Sequence, residues 1–479
     1  MPCRLALALV LSSLPVLAAP PELPGRELVE RDLPVLEQAL RELHPGLLRY
    51  TTPAQLDARF AALKAALGKD QTRAEAYLKL SEFLASLRCG HTYVNPLNLD
   101  KAVAAELFSG KTRVPFRFRW LGEQMVVTRD DSAEHVLPRG TRVRAIDDVP
   151  AERLLARMMP LVRADGSNDQ KRKSLLELRG DGAYEPFDLF HPLLFPMKGE
   201  TYALLIEPPG GAQRTVPVAP LTFEQRKAGL AVDGRGAQEP FSLRYLDDGA
   251  AVLTMTTWAL YDSKWDWKAF LARSFDELDA NKTPALIIDL RGNEGGLDVG
   301  DVVLAHLLDA DLTAGAYVRK VRYQRVPDAL RPFLHTWDKS FFDWGADAHD
   351  PQDGFYLLKG DSDGPKVIHP LAPRFLGRVA VLVDASNSSA TFQFAQLLQE
   401  AHLGTLVGEP TGGNQRGING GAFFFLALPV SKLEVDLPLI ARFPAQPRPD
   451  AGLVPEVLVE RTAADVAHDR DPELFAAQR

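Results

Sequence analysis

Apolar residues recur at helical spacing through the first part of the chain. Leu33, Leu36, Leu40 and Leu43 form one stripe, Leu56, Phe60, Leu63 and Leu67 a second, and Tyr77, Leu80, Leu84 and Leu87 a third. Positions three and four apart share a helix face, so three amphipathic helices are predicted between Leu28 and Arg88, punctuated by Pro45, Pro53 and Gly68. The period then shortens. Val114 to Val127 alternates like a hairpin turning near Leu121-Gly122-Glu123, and Pro138 to Pro150 reads as a turn, a strand and a tight turn. A helix from Ala151 to Met159 follows, then paired strands at Tyr202–Glu207 and Gln213–Val218 around Pro208-Pro209-Gly210-Gly211. From Ala250 onward strands and helices alternate: strand Ala250–Thr254, helix Trp265–Leu278, strand Ala285–Asp289, helix Asp298–Leu308 and strand Ala316–Gln324. A buried strand, Val379–Asp384, then leads through Ala385–Ser389 into a helix whose stripe is Phe392, Ala395, Gln396, Leu397 and Leu398. Such alternation argues an α/β sheet with crossover connections. The segment from Asp328 to Pro370 is too long for an ordinary connection, and is expected to be a lid or a substrate wall.

The N-terminus changes the picture of where this chain works. Arg4, the apolar run Leu5–Leu17 and the small-residue site at Val16-Leu17-Ala18 predict a secretory signal over 1–18, with a mature chain starting near Ala19. A membrane anchor is the alternative, but the run is short, is broken by Pro15 and is followed by Pro20, Pro21 and Pro24. The expected location is therefore periplasmic or secreted, with no integral membrane segment in the mature chain. Of two cysteines, Cys3 lies in the signal, so Cys89 is left alone and no intrachain disulfide is expected. The net charge of −8 gives no basic footprint, which argues against nucleic acid as a partner. None of the ten histidines has a partner at the spacing of a His-Glu-x-x-His site, so neither a metal nor another cofactor is expected.

Three short stretches carry candidate chemistry. Ser388 and Ser389 sit at a strand-to-helix junction, where free N–H groups and the positive end of the helix dipole favour an anion. That suits a serine nucleophile and its oxyanion, although Asn387, Ser388 and Ser389 as plain helix caps explain the same residues. His91 follows a helix end at Cys89-Gly90, where Gly90 can take the left-handed conformation. Taken alone, His91 serves equally as a partner for helix-end carbonyls. Arg291-Gly292-Asn293-Glu294-Gly295-Gly296 leaves a strand end with glycines that let backbone N–H groups approach a ligand.

In combination, the Gly90-His91 corner, the 112–222 segment, Asp289-Leu290-Arg291-Gly292-Asn293-x-Gly295-Gly296 and the run from Ser388-Ser389-Ala390-Thr391 to Gly408-Glu409-Pro410-Thr411-Gly412-Gly413 resemble the C-terminal processing, or tail-specific, serine proteases. The resemblance implies an α/β (α+β multidomain) chain. It divides into a helical N-terminal domain (19–98), a PDZ-like domain (112–222) with an insertion at 165–198, an α/β core of the crotonase-like/ClpP type (240–462) and a C-terminal tail (463–479). A plain β-rich linking domain fits 112–222 equally well. The resemblance places the nucleophile on Ser389 and the oxyanion donors on the backbone of Gly295, Gly296 and Ala390. Where the tail-specific branch carries a lysine base, this chain has Asn414, and Arg416 is no substitute because it stays protonated. The branch that resembles the tricorn protease core and interphotoreceptor retinoid-binding protein uses a histidine instead, and His91 stands in its place. For the acid that orients the imidazole the first candidate is Asp450, then Glu456, then Glu409, with Thr92 or another hydroxyl as a mediator. Asn414, Arg416 and Asn419 form a glycine-rich loop expected to close over the substrate, or else to be turn residues. Phe423-Phe424-Phe425 is expected to be core strand, with a specificity pocket as the lesser alternative.

The implied activity is a serine endopeptidase acting on peptides or proteins through an acyl-enzyme, Ser-His rather than Ser-Lys. A catalytically inactive protein holding a peptide or apolar ligand on the same fold is the main rival. An esterase or amidase ranks last, because the Gly-x-Ser-x-Gly elbow is absent around Ser389.

Overall fold

The computed structural model describes residues 22–479 apart from 181, 183, 233–238, 315–316 and 360–365. The predicted signal, 1–18, lies outside the described residues.

The three apolar stripes fold as helices α1 (Leu33–Leu43), α2 (Pro53–Leu67) and α3 (Arg73–Ser86), with α4 (Lys101–Phe108) after them. Thr52 and Thr72 close capping boxes with Gln55 and Glu75 at the starts of α2 and α3, which satisfies their orphan N–H groups. All twelve stripe residues are buried.

An antiparallel sheet follows, with five strands in the order β1-β2-β3-β4-β5: β1 (Phe116–Leu121), β2 (Gln124–Asp130), β3 (Arg142–Ile146), β4 (Tyr202–Glu207) and β5 (Arg214–Val218). The short strand Val149–Pro150 pairs with β3 off this path. Between β3 and β4 the chain makes α5 (Ala151–Met158), α6 (Asp169–Leu175) and α7 (Pro186–Leu194).

The α/β alternation produces β6 (Phe241–Tyr245), β7 (Ala251–Met255), α8 (Trp267–Ala280), β8 (Ala285–Asp289) and α9 (Val299–Ala305). Four antiparallel strands come next, β9 (Tyr317–Val321), β10 (Leu334–His335), β11 (Ala348–Gln352) and β12 (Phe355–Leu358). The core resumes with β13 (Arg378–Val383), α10 (Ser389–Glu400) and β14 (Thr405–Gly408). The long strands β15 (Asn419–Ala427) and β16 (Glu434–Pro444) are followed by β17 (Val457–Leu458) and helix α11 (Pro472–Ala477).

Two six-stranded sheets result. One runs β17-β14-β13-β8-β7-β6 and is parallel except for β6. Its central strands β7, β8 and β13 are buried on both faces. Leu253, Ile288 and Val381 meet Phe275 of α8, Val303 of α9 and Leu398 of α10, while Val252, Ile287 and Leu382 meet Ala477 of α11. Part of the expected C-terminal tail thus covers a sheet face. The other sheet runs β10-β15-β16-β9-β12-β11 and is antiparallel. The long segment expected as a lid or wall therefore contributes three strands to this sheet, because its aromatic residues find a core: Phe342 packs on Phe424 at 4.8 Å.

Candidate active site

At the centre of the parallel sheet, β13 ends at Val383 and five residues carry the chain into α10. Asp384, buried, shapes that turn. It accepts the Ser386 N–H at 2.8 Å and the Arg179 guanidinium at 3.1 Å. Burial pushes the Asp384 carboxyl up, but Arg179, Arg119 and the N–H donors outweigh it and hold it at about 2.

Ser389 then takes φ of +51°, a left-handed backbone that costs an L residue about 1–2 kcal/mol. The serines and Asn387 do not cap the helix. Asn387 Nδ2 donates to the carbonyls of Leu290 and Asn293 at 2.6 and 3.0 Å, and Ser388 Oγ donates to the Glu294 carbonyl at 3.1 Å. These side chains stitch the serine turn to the glycine loop, and no side chain among the described residues caps the first N–H groups of α10.

The loop Leu290–Gly296 packs directly against the serine. Gly295, at φ +107°, is so close that a Cβ there would lie 2.9 Å from the Ser388 oxygen, the Ala390 nitrogen and the Ser389 Cβ. Only glycine fits that approach. The Gly295 N–H is committed to Asn293 Oδ1 at 3.0 Å. The Gly296 and Ala390 N–H groups have no protein acceptor among the described residues.

His91 stands on a corner held from two sides. Tyr93 and Asn95 pair with β16 through Asp436 N–H to the Tyr93 carbonyl, 3.0 Å, and Asn95 N–H to the Glu434 carbonyl, 3.2 Å. On the other side Asp165 Oδ1 accepts the Gly90 N–H at 2.9 Å. The left-handed residue after α3 is Arg88, at φ +58°, rather than Gly90 as expected from sequence. Gly90 is needed for another reason: a Cβ there would meet Asp165 Oδ2 at 2.7 Å. His91 Nδ1 is buried with no hydrogen-bond partner among the described residues. Burial lowers the imidazole pKa, Asp165 and Glu294 raise it, and Arg163 and Lys171 lower it, with a net fall below 6.5. His91 and Ser389 are not hydrogen bonded to each other. Asp165, beside the His91 corner, and Ser389 line one small pocket with Tyr317, Phe392, Asn414 and Ile418.

Asp450 does not contact His91. Its oxygens accept from Ser167 N–H at 2.9 Å, Ser167 Oγ at 2.9 Å and Asn414 Nδ2 at 2.7 Å, and so tie the segment after Asp165 to the glycine-rich loop. Glu456 accepts from Leu406 N–H on β14, and Glu409 faces Arg119. Thr92 is hydrogen bonded to His44 at 2.9 Å. Asn414 is spent on Asp450 and the Asp165 carbonyl, and Asn419 on Arg49 and Cys89, so both amides hold the protein together. Arg416 is exposed, with its guanidinium 6.0 Å from the centre of the Tyr50 ring.

Sequence reasoning missed the stretch 165–179, which lies in the predicted insertion yet bonds to the His91 corner, the serine turn and both glycine-rich loops. Asp165 reaches Gly90, Asn168 donates to the Thr411 and Gly413 carbonyls, and Lys171 donates to the Ser386 carbonyl at 2.8 Å while pairing with Glu294 at 3.1 Å. The one local signal was Asp165-Gly166-Ser167-Asn168-Asp169, a run of turn and cap formers before a short helix.

Comparison with known proteins bears on this geometry. Residues 249–421 match the sequence profile of peptidase family S41. The chain carries an S41 peptidase domain. The resemblance to the C-terminal processing proteases is borne out by that match, and the class of activity is serine-type peptidase. The S41 domain contains Gly295, Gly296, Ser389, Ala390 and the 414–419 loop, whereas His91, Asp165 and Asp450 lie outside the matched residues. Among solved structures, mature CPAF complexed with lactacystin is similar over 95% of this chain and 97% of that one, with a TM-score of 0.61 at 17% identity. Mature CPAF is similar over 94% and 96%, with a TM-score of 0.57 at 16% identity. The photosystem II D1 C-terminal processing protease shares 16% identity over 91% of this chain and 93% of its own, with a TM-score of 0.39. Likeness to CPAF at these identities is likeness of fold. No curated protein matches the sequence. Among the described residues no helix is long and apolar enough to cross a membrane.

Proposed function

We propose that the protein is an exported serine endopeptidase in which Ser389 attacks a peptide carbonyl and His91 is the general base. The observation that carries this reading is the backbone of Ser389: a left-handed residue at an uncapped helix start, pressed against Gly295. Strain of that kind persists only where surrounding structure enforces it, and Ser389 lines a pocket with Asp165. With its pKa held below the ordinary value, His91 is neutral near pH 7 and free to take the serine proton. It returns that proton to the leaving amine, and water releases the acyl-enzyme.

The oxyanion lies against the Gly296 and Ala390 N–H groups, where the helix dipole adds to the two donors. The Gly295 N–H takes no part, being held by Asn293. The buried Asp165 carboxylate favours the imidazolium that forms on His91, and Asp450 acts one step further out by fixing the loop that presents Asp165. Asp165 thus takes the role for which sequence reasoning put Asp450 first.

The test is mass spectrometry of the protein after treatment with a fluorophosphonate, alongside His91→Ala. A single adduct on Ser389 that is lost in His91→Ala is the expected result. A folded protein that forms no adduct would point to the inactive binding protein instead. Export rests on the composition of residues 1–18, and the N-terminal mass of protein recovered from the cell exterior or periplasm tests it.

A further inference from the structure

Strand β15 shows two faces. Ala422, Phe424 and Leu426 are buried in the core, while Phe423 and Phe425 point the other way and are half-buried. The sequence expectation of a core strand thus holds for Phe424 and not for its neighbours. The Phe423 ring lies 5.8 Å from the His91 ring. Because His335 pairs with Phe425 at the sheet edge, Trp337 is delivered over the same face, 6.0 Å from Phe423 and 5.8 Å from Phe425. Phe341 supports it edge-on at 5.6 Å. Although three rings surround it, Trp337 remains 61% exposed. An aromatic surface therefore runs from His91 to solvent, and its rings offer an incoming apolar side chain something to pack against.

We propose that this surface is a subsite for the part of the substrate that follows the scissile bond, and that it selects an aromatic or bulky aliphatic side chain within the first two positions of that part. The direction follows from the chemistry, so the inference rests on the reading of Ser389 and His91 given above. The imidazolium must protonate the leaving amine, hence the chain beyond the cut begins at the His91 ring. The acyl half stays at Ser389 and the helix start. An extended peptide advances about 6.6 Å over two residues, close to the 5.8 Å from His91 to Phe423, and Trp337 flanks Phe423 at 6.0 Å, so both rings serve the same first two positions. Trp337 and Phe423 are then specificity-determining residues.

The experiment uses the full chain as Ser389→Ala, which removes turnover, and fluorescein-labelled peptides that differ only in phenylalanine, leucine or glycine at those two positions. Phenylalanine and leucine peptides should bind about three- to tenfold more tightly than glycine peptides. In Ser389→Ala/Trp337→Ala the difference should fall below about twofold, and Trp337→Phe should restore most of it. Equal affinities for all peptides, or a preference unchanged by Trp337→Ala, would overturn the proposal. Because this readout needs no catalysis, it separates the two ideas. A native protein that refuses fluorophosphonate yet keeps a Trp337-dependent preference sinks the catalytic reading alone. Normal labelling without any preference sinks the subsite alone.

Discussion

Asp165 holds the backbone of the residue before His91. Its Oδ1 accepts the Gly90 N–H at 2.9 Å across 75 positions of sequence, and its charge raises the His91 pKa against the effect of burial. One carboxylate therefore anchors the backbone beside the imidazole and favours its charged form.

Asp165→Asn keeps an oxygen for Gly90 and removes the charge. The His91 pKa should fall further, so the acid limb of the rate of Ser389 labelling should move to lower pH while the maximal rate drops about tenfold or more. A labelling profile from pH 4 to 9 checks the shift, and an unmoved acid limb would remove Asp165 from this role.

The strain at Ser389 is measurable. Ser389→Gly relieves the φ of +51° and should be more stable than Ser389→Ala by about 1 kcal/mol in thermal or urea melts, with both variants inactive. Equal stability would mean that the left-handed backbone costs nothing.

Gly295→Ala and Gly420→Ala make a matched pair. A Cβ at 295 meets the serine turn at 2.9 Å, whereas at 420 nothing lies within 4 Å and φ is ordinary. The first should cost about 100-fold or more in labelling or turnover by disturbing the oxyanion donors, and the second should be close to silent. Parallel assays of the two proteins decide it.

Acid stability should track Asp384. Its folded pKa, about 2, lies below its ordinary 3.8, so its contribution is complete above about pH 4 and is lost as pH falls through 2. That difference is worth about 2 kcal/mol. Asp384→Asn removes one of the two carboxylates beside Arg179, which keeps Glu177, and should destabilise the protein by about 2 kcal/mol at pH 7, with a smaller gap from native at pH 2.5. Urea titrations at the two pH values test both statements.

The parts legible in sequence are those whose physics is local. The buried run Val379–Asp384 became β13, the stripes from Leu33 to Leu87 became buried helix faces, and the Gly295-Gly296 pair marked a loop that admits no side chain. Periodicity and the freedom of glycine are written in neighbouring residues, so these elements needed no knowledge of what lay beside them. Gly90 shows the limit. Its presence was readable, but the reason assigned to it was a backbone angle, and the true reason is a carboxylate from another segment.

By itself, then, the sequence determined the α/β alternation, the serine at a strand-to-helix junction and the histidine at a helix end. Tertiary structure alone decided which acid approaches that histidine, that Lys171 joins the serine turn to Glu294, and that Trp337 lies over Phe423. The physical reason is range. Asp165, Lys171 and Trp337 sit in segments whose own patterns are those of turns and short elements, and their partners were chosen by packing between distant parts of the chain, where burial and charge pairing outweigh any local preference.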